Sequence, residues 1–151
     1  MSSGLLLALS QPGKRDAVVR DCERVLDAEV HDKGGLSGLA VKGAFAMVKK
    51  LQPDFVPRAV DGLLDDFVRA VEPFYDRWKA NPAGQKLSQY FVANGSAISD
   101  ALLAITDERA RKNKHGTVVS AYGKLRPKGK EHVMAAMKRV GELFERHSAG
   151  G

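Results

Sequence analysis

Two carboxylates one helical turn apart can share a proton or hold a hard cation, provided burial shifts the pKa of one of them. Asp61 and Asp65 have that spacing, with Asp66 adjacent and Glu72 further along. They fall on the polar side of an otherwise well-defined apolar stripe, so the pattern predicts a solvated face and no catalytic pair. Glu23 and Asp27 read the same way.

Other chemistry finds less support. The histidines His31, His115, His132 and His147 include no two at the three- or four-residue spacing of helical metal ligands. Cys22 is the single cysteine, which excludes an internal disulfide framework and a multi-cysteine zinc site. It lies on an apolar stripe and is read as core. Gly123-Lys124 resembles the end of a phosphate-binding loop, but six residues separate Gly116 from Gly123 where four are needed. Leu125 stands where a Ser or Thr would bind magnesium. Neither a Gly-x-Ser-x-Gly elbow nor a His-Glu-x-x-His pair occurs. The expectation is a non-enzymatic protein with no catalytic residue, no metal and no cofactor.

Binding chemistry is better represented. Residues 1–75 hold 10 basic and 11 acidic side chains, whereas residues 76–151 hold 14 and 7. Within residues 109–139, Arg109, Arg111, Lys112, Lys114, Lys124, Arg126, Lys128, Lys130, Lys138 and Arg139 accompany a single acid, Glu131. Residues 123–130, Gly-Lys-Leu-Arg-Pro-Lys-Gly-Lys, are the densest part, with Tyr122 beside them as a candidate stacking residue. The candidate polyanion-binding set is therefore Arg109, Arg111, Lys112, Lys114, Tyr122, Lys124, Arg126, Lys128 and Lys130. Such a patch attracts phosphate-rich or acidic surfaces by releasing counterions. The alternative is that these residues only solubilise the surface and complement helix dipoles. Phe74, Tyr75 and Trp78 are read as core at the corner where Pro73 turns the chain, the alternative being an aromatic ligand pocket.

The elements that must position these residues are helical. From Lys14 to Lys33, Val18, Val19, Cys22, Val25, Leu26 and Val30 recur at intervals of three and four, and Gly34-Gly35 ends the pattern. Ser37 is the expected N-cap of a second helix carrying Leu39, Ala40, Ala44, Phe45, Val48 and Leu51, which Pro53 stops. A third starts at Asp54, with Pro57 in its first turn, and must kink or restart at Pro73. Asn81-Pro82 reads as an N-cap followed by proline at the first helical position. That helix carries Leu87, Tyr90 and Phe91, and Ser96 caps the next, which runs out near residues 109–114. Residues 117–122 are β-branched but lack a partner strand, so a short helix capped by Thr117 is preferred, with a strand left open. A last helix begins near Pro127 and carries Val133, Met134, Met137, Val140 and Phe144.

Interior Gly43, Gly62 and Gly141 predict close helix–helix approach. The likeness between residues 60–67 and 140–146 is read as shared amphipathic pattern rather than repeat. The result is an all-α single-domain compact bundle of six to seven helices with short connections. It has a short N-terminal segment at 1–13, a domain at 14–147 and a tail at 148–151.

Bulk composition agrees. The chain has 151 residues, 44% hydrophobic and 28% charged, with a net charge of +6, which excludes a disordered tail and a membrane protein. Its longest apolar run, residues 5–9, is too short to span a bilayer or to act as a signal-peptide core. The Asn94-Gly95-Ser96 sequon then lacks a secretory context, and a cytoplasmic, thiol-reduced protein is expected.

Four phrases form a recognisable set: Lys33-Gly34-Gly35-Leu36-Ser37-Gly38, Pro53-Asp54-Phe55-Val56-Pro57, Glu72-Pro73-Phe74-Tyr75 and Ala121-Tyr122-Gly123-Lys124-Leu125-Arg126. Together they resemble an uncharacterised family of small all-helical bacterial proteins, a domain of unknown function, over about residues 14–147. The resemblance implies one compact all-α domain of bacterial origin, and it assigns neither activity nor site residues.

The functional expectation is a helical binding module whose basic C-terminal third contacts a polyanion: nucleic acid, an acidic protein or an anionic membrane surface. The alternative is a small-molecule-binding or oligomerising bundle.

Overall fold

The apolar spacing becomes a chain of helices in the computed structural model, which describes residue 9 and residues 11–148. The first helix, α1 (Lys14–Asp32), is followed by α2 (Gly35–Leu51), α3 (Phe55–Ala80), α4 (Leu87–Ala93) and α5 (Gly95–Lys112). Then come α6 (Gly116–Leu125), a 3-10 turn (Arg126–Lys128), α7 (Gly129–Ala135) and α8 (Met137–Ser148). No strand occurs among the described residues, and residues 117–122 lie in α6. The protein is an all-α single-domain bundle. The expected segments at 1–13 and 148–151 fall largely outside the described residues, as does most of the apolar run at 5–9.

Helices α4 and α8 form the tightest pair. Gly141 makes it possible, because a Cβ there would lie 2.5 Å from the Ser88 Cα. Phe91 and Phe144 then meet across the pair with ring centroids 5.7 Å apart. Around them Val18 of α1, Leu64, Val68 and Val71 of α3, Leu87 of α4, Ile98 and Leu102 of α5, Met137 and Leu143 of α8 and Leu9 form the buried core. Cys22, Phe74, Tyr75 and Trp78 pack against this core, which is the reading expected for all four. Burial also pushes the Cys22 thiol up to about 12. Of the other interior glycines, Gly62 has only Arg109 Nη1 3.6 Å from a would-be Cβ, and Gly43 faces open space. The expected close approach therefore holds for Gly141 and not for Gly43.

Several expected boundaries are displaced, each for a visible reason. Asn81-Pro82 does not start a helix; Asn81 ends α3, and the chain turns through Ala83 (φ 51°) and Gly84 (φ 79°) before α4 begins at Leu87. The turn is held by Trp78, whose Nε1 donates to the Gln85 carbonyl at 2.7 Å. The start of α4 is then satisfied from outside and from within: Ser88 N donates to Glu145 Oε2 on α8 at 2.7 Å, and Lys86 N donates to Gln89 Oε1 at 2.9 Å. Tertiary capping outweighs the local Asn-Pro signal.

Helix α3 does not restart at Pro73 but runs through it to Ala80. The ring is exposed while flanking Val71, Phe74 and Trp78 are held against the core. Helix α2 starts at Gly35 after Gly34, two residues before Ser37, and Gly35 takes φ 70°. Asn94 and His115, not Ser96 and Thr117, occupy the cap positions of α5 and α6. The expected last helix is broken at Ala136, so that α7 packs on α5 while α8 packs on α4 and α1. Counting those two as the single element the sequence predicts, the described residues hold seven helices.

Candidate polyanion-binding surface

The nine candidate residues sit on the end of α5, in the connection to α6, on α6, in the 3-10 turn and at the start of α7. Acids meet most of them, from other helices at Arg109, Tyr122, Arg126 and Lys130 and from close by in sequence at Arg111, Lys112 and Lys128. Arg109 Nη2 donates to the Gly62 carbonyl at 2.8 Å and to Asp66 at 3.1 Å on α3. Arg111 pairs with Glu108, and Lys112 Nζ lies 3.2 Å from the same carboxylate. Arg126 grips Asp107 with both Nε and Nη2, at 2.8 and 3.0 Å. Lys128 lies 3.4 Å from Glu131, and Lys130 reaches Asp100 at 3.1 Å. The isolation of Glu131 along the sequence therefore does not carry into space.

The Asp107 cluster is a small network rather than an open site. The Tyr122 hydroxyl lies 2.7 Å from the Thr106 hydroxyl and also donates to Asp107. The Arg126 guanidinium and the Tyr122 hydroxyl hold the Asp107 carboxyl below the usual carboxylate range. Burial, reinforced by Asp107, pushes the Tyr122 phenol up. Tyr122 is thereby tied to α5.

Lys114 and Lys124 differ from the other cations of the set. Both are exposed, and neither has a carboxylate within ion-pair distance among the described residues. Lys124 belongs to α6, which packs on α2. Neither helix contains an Asp or Glu, and α2 adds Lys42, Lys49 and Lys50, all exposed. Lys49 alone of these three approaches an acid, Asp27, at 3.8 Å. These lysines escape a reading of the sequence because they lie in its charge-balanced half.

Acids expected on a solvated face behave in two ways. Asp61 and Asp65 both receive Arg15, at 3.0 and 2.6 Å, which ties α1 to α3. Glu72, by contrast, is 2% exposed and does not belong to a solvated face. It continues the Leu64–Val68 row by another four residues, a signal that could have located it.

Asp21 is a second buried acid, unremarked in the sequence. Arg146 donates to its Oδ2 through Nε and Nη2, at 3.0 and 2.8 Å, and His147 Nε2 lies 2.8 Å from the same oxygen. Burial raises the Asp21 carboxyl, but the Arg146 and His147 hydrogen bonds outweigh it and the net shift is downward. This cluster locks α8 to α1, together with Arg139, which pairs with Glu29 and Asp32.

Among the described residues no three His, Cys, Asp or Glu side chains are grouped to hold a metal. None of the described helices is long and apolar enough to cross a membrane. A family model matches residues 5–148. The chain belongs to DUF6918, a family of unknown function. No curated protein and no solved structure matches this DUF6918 chain. Its lysine-bearing, acid-free pair α2 and α6 is accordingly read from chemistry alone.

Proposed function

We propose that this DUF6918 protein is a non-enzymatic binding module that contacts a polyanionic partner through its basic C-terminal third. The observation that supports this reading is the acid-free junction of α6 with α2. Lys124 on α6 and Lys114 in the connection before it are exposed with no carboxylate at ion-pair distance among the described residues, and Lys42 and Lys50 extend the positive surface onto the neighbouring helix. Arg109, Arg111, Lys112, Arg126, Lys128 and Lys130 contribute less, since each already neutralises a carboxylate of its own chain. That internal pairing is also what favours the second reading, in which these residues serve solubility.

The deciding experiment measures binding to DNA, RNA and anionic vesicles across a salt series. The reading expects affinity at about 50 mM salt that falls linearly on a log–log plot, with a shallower slope for Lys114→Gln/Lys124→Gln. Absence of binding at that salt to all three probes sinks it.

A further inference from the structure

We propose that the solvent face of α2 docks on the surface of an anionic lipid bilayer. This narrows the polyanion reading above to one partner, and it rests on an observation that reading does not use. Leu39, Met47 and Leu51 are 67%, 54% and 58% exposed, the largest such group on any described helix. They lie on one row with Gly43 at intervals of four, so they form a continuous apolar strip along the helix. Lys42 and Lys50 flank one side of that strip, Lys49 lies on the far side of the helix, where it reaches Asp27 at 3.8 Å, and Val48 anchors α2 against the domain.

Charge complementarity selects the occupant. An anionic membrane surface is the partner that satisfies both halves of this face at once. Phosphate and carboxylate headgroups attract the lysines, while the acyl boundary takes up leucine and methionine side chains. Nucleic acid would meet the lysines but leave the apolar strip against a polar groove. A second copy of the chain, paired through the same face, would set Lys42 and Lys50 against themselves with no acid on α2 or α6 to offset them.

Flotation of the full chain with phosphatidylcholine vesicles, and with equimolar phosphatidylcholine–phosphatidylserine vesicles, tests the proposal. The expected result is partitioning onto the anionic vesicles only. Lys42→Gln/Lys50→Gln should weaken it by about five-fold per lysine. Leu39→Ser/Met47→Ser/Leu51→Ser should weaken it by on the order of ten-fold per side chain. Both variants alter exposed positions, so helicity should be retained. If the serine variant loses helicity, the glutamine variant alone decides.

Vesicle binding that neither variant changes overturns the proposal. Binding to DNA or RNA without vesicle binding overturns it and leaves the polyanion reading standing. Binding to none of the probes overturns both. A dimer in sedimentation that the serine variant converts to monomer assigns the face to a second copy and likewise overturns membrane docking.

Discussion

Gly141 and Ser88 are in backbone contact: a methyl group on Gly141 would sit 2.5 Å from the Ser88 Cα and 3.3 Å from the Phe91 Cβ. No rotamer change can relieve that contact, because Ser88 Cα belongs to the backbone of α4. Gly141→Ala is therefore expected to destabilise the fold by about 1–3 kcal/mol, even though alanine is the better helix former. Chemical denaturation checks it. Gly43→Ala is the control; with open space around it, it should be neutral or stabilising by up to ~1 kcal/mol.

Asp21→Asn should cost about 2 kcal/mol, since it removes the charge that Arg146 and His147 both address. Its pH signature is as informative as its size. A carboxyl held low in the fold contributes stability that is complete above the unfolded carboxylate range, near pH 4, and is lost as pH falls through the lower folded value. The acid limb of a melting-temperature series should be shallower in the variant.

His132 gives a second, separate window. Burial, followed by the nearby Lys33 ammonium, holds its imidazole below the ordinary value. The unfolded chain then takes up the proton first, so stability declines as pH drops below about 6.5 and levels off once the folded histidine also protonates. His132→Gln should flatten the profile in that window. An equally steep decline in the variant would count against the assignment.

Ser99 is fully buried, and its hydroxyl has no hydrogen-bond partner among the described residues. Ser99→Ala removes an unsatisfied group without opening a cavity. It should change stability by no more than ~0.5 kcal/mol or raise it by up to ~1 kcal/mol, as read in urea melts.

Cys22 should be slow to react with thiol reagents in the native protein at neutral pH and fast in denaturant. The native thiol is packed against the core, with its pKa pushed up to about 12.

Helix existence was legible because burial of one stripe imposes a period that the residues themselves carry, as Val18, Cys22 and Val25 or Leu64, Val68 and Val71 do. Helix ends were less legible, because the Ser88 amide in the first turn of α4 finds the Glu145 carboxylate far along the chain. The buried acids follow the same logic. Asp21 lies between Val18 and Val25 on the apolar side, a position that already marks a buried charge, but its partners stand about 125 residues away. The basic region was legible as composition and not as a surface: nothing near Arg109 in sequence announces Asp66, and nothing in α6 announces the lysines of α2.

Helix α2 presses only Gly38 and Val48 fully into the protein among its described side chains. The rest of the core therefore closes without it. Its amides should exchange with deuterium through a local opening far shallower than global unfolding, ahead of those in α4 and α8. Opening of that one helix should leave the protection of the remaining helices unchanged.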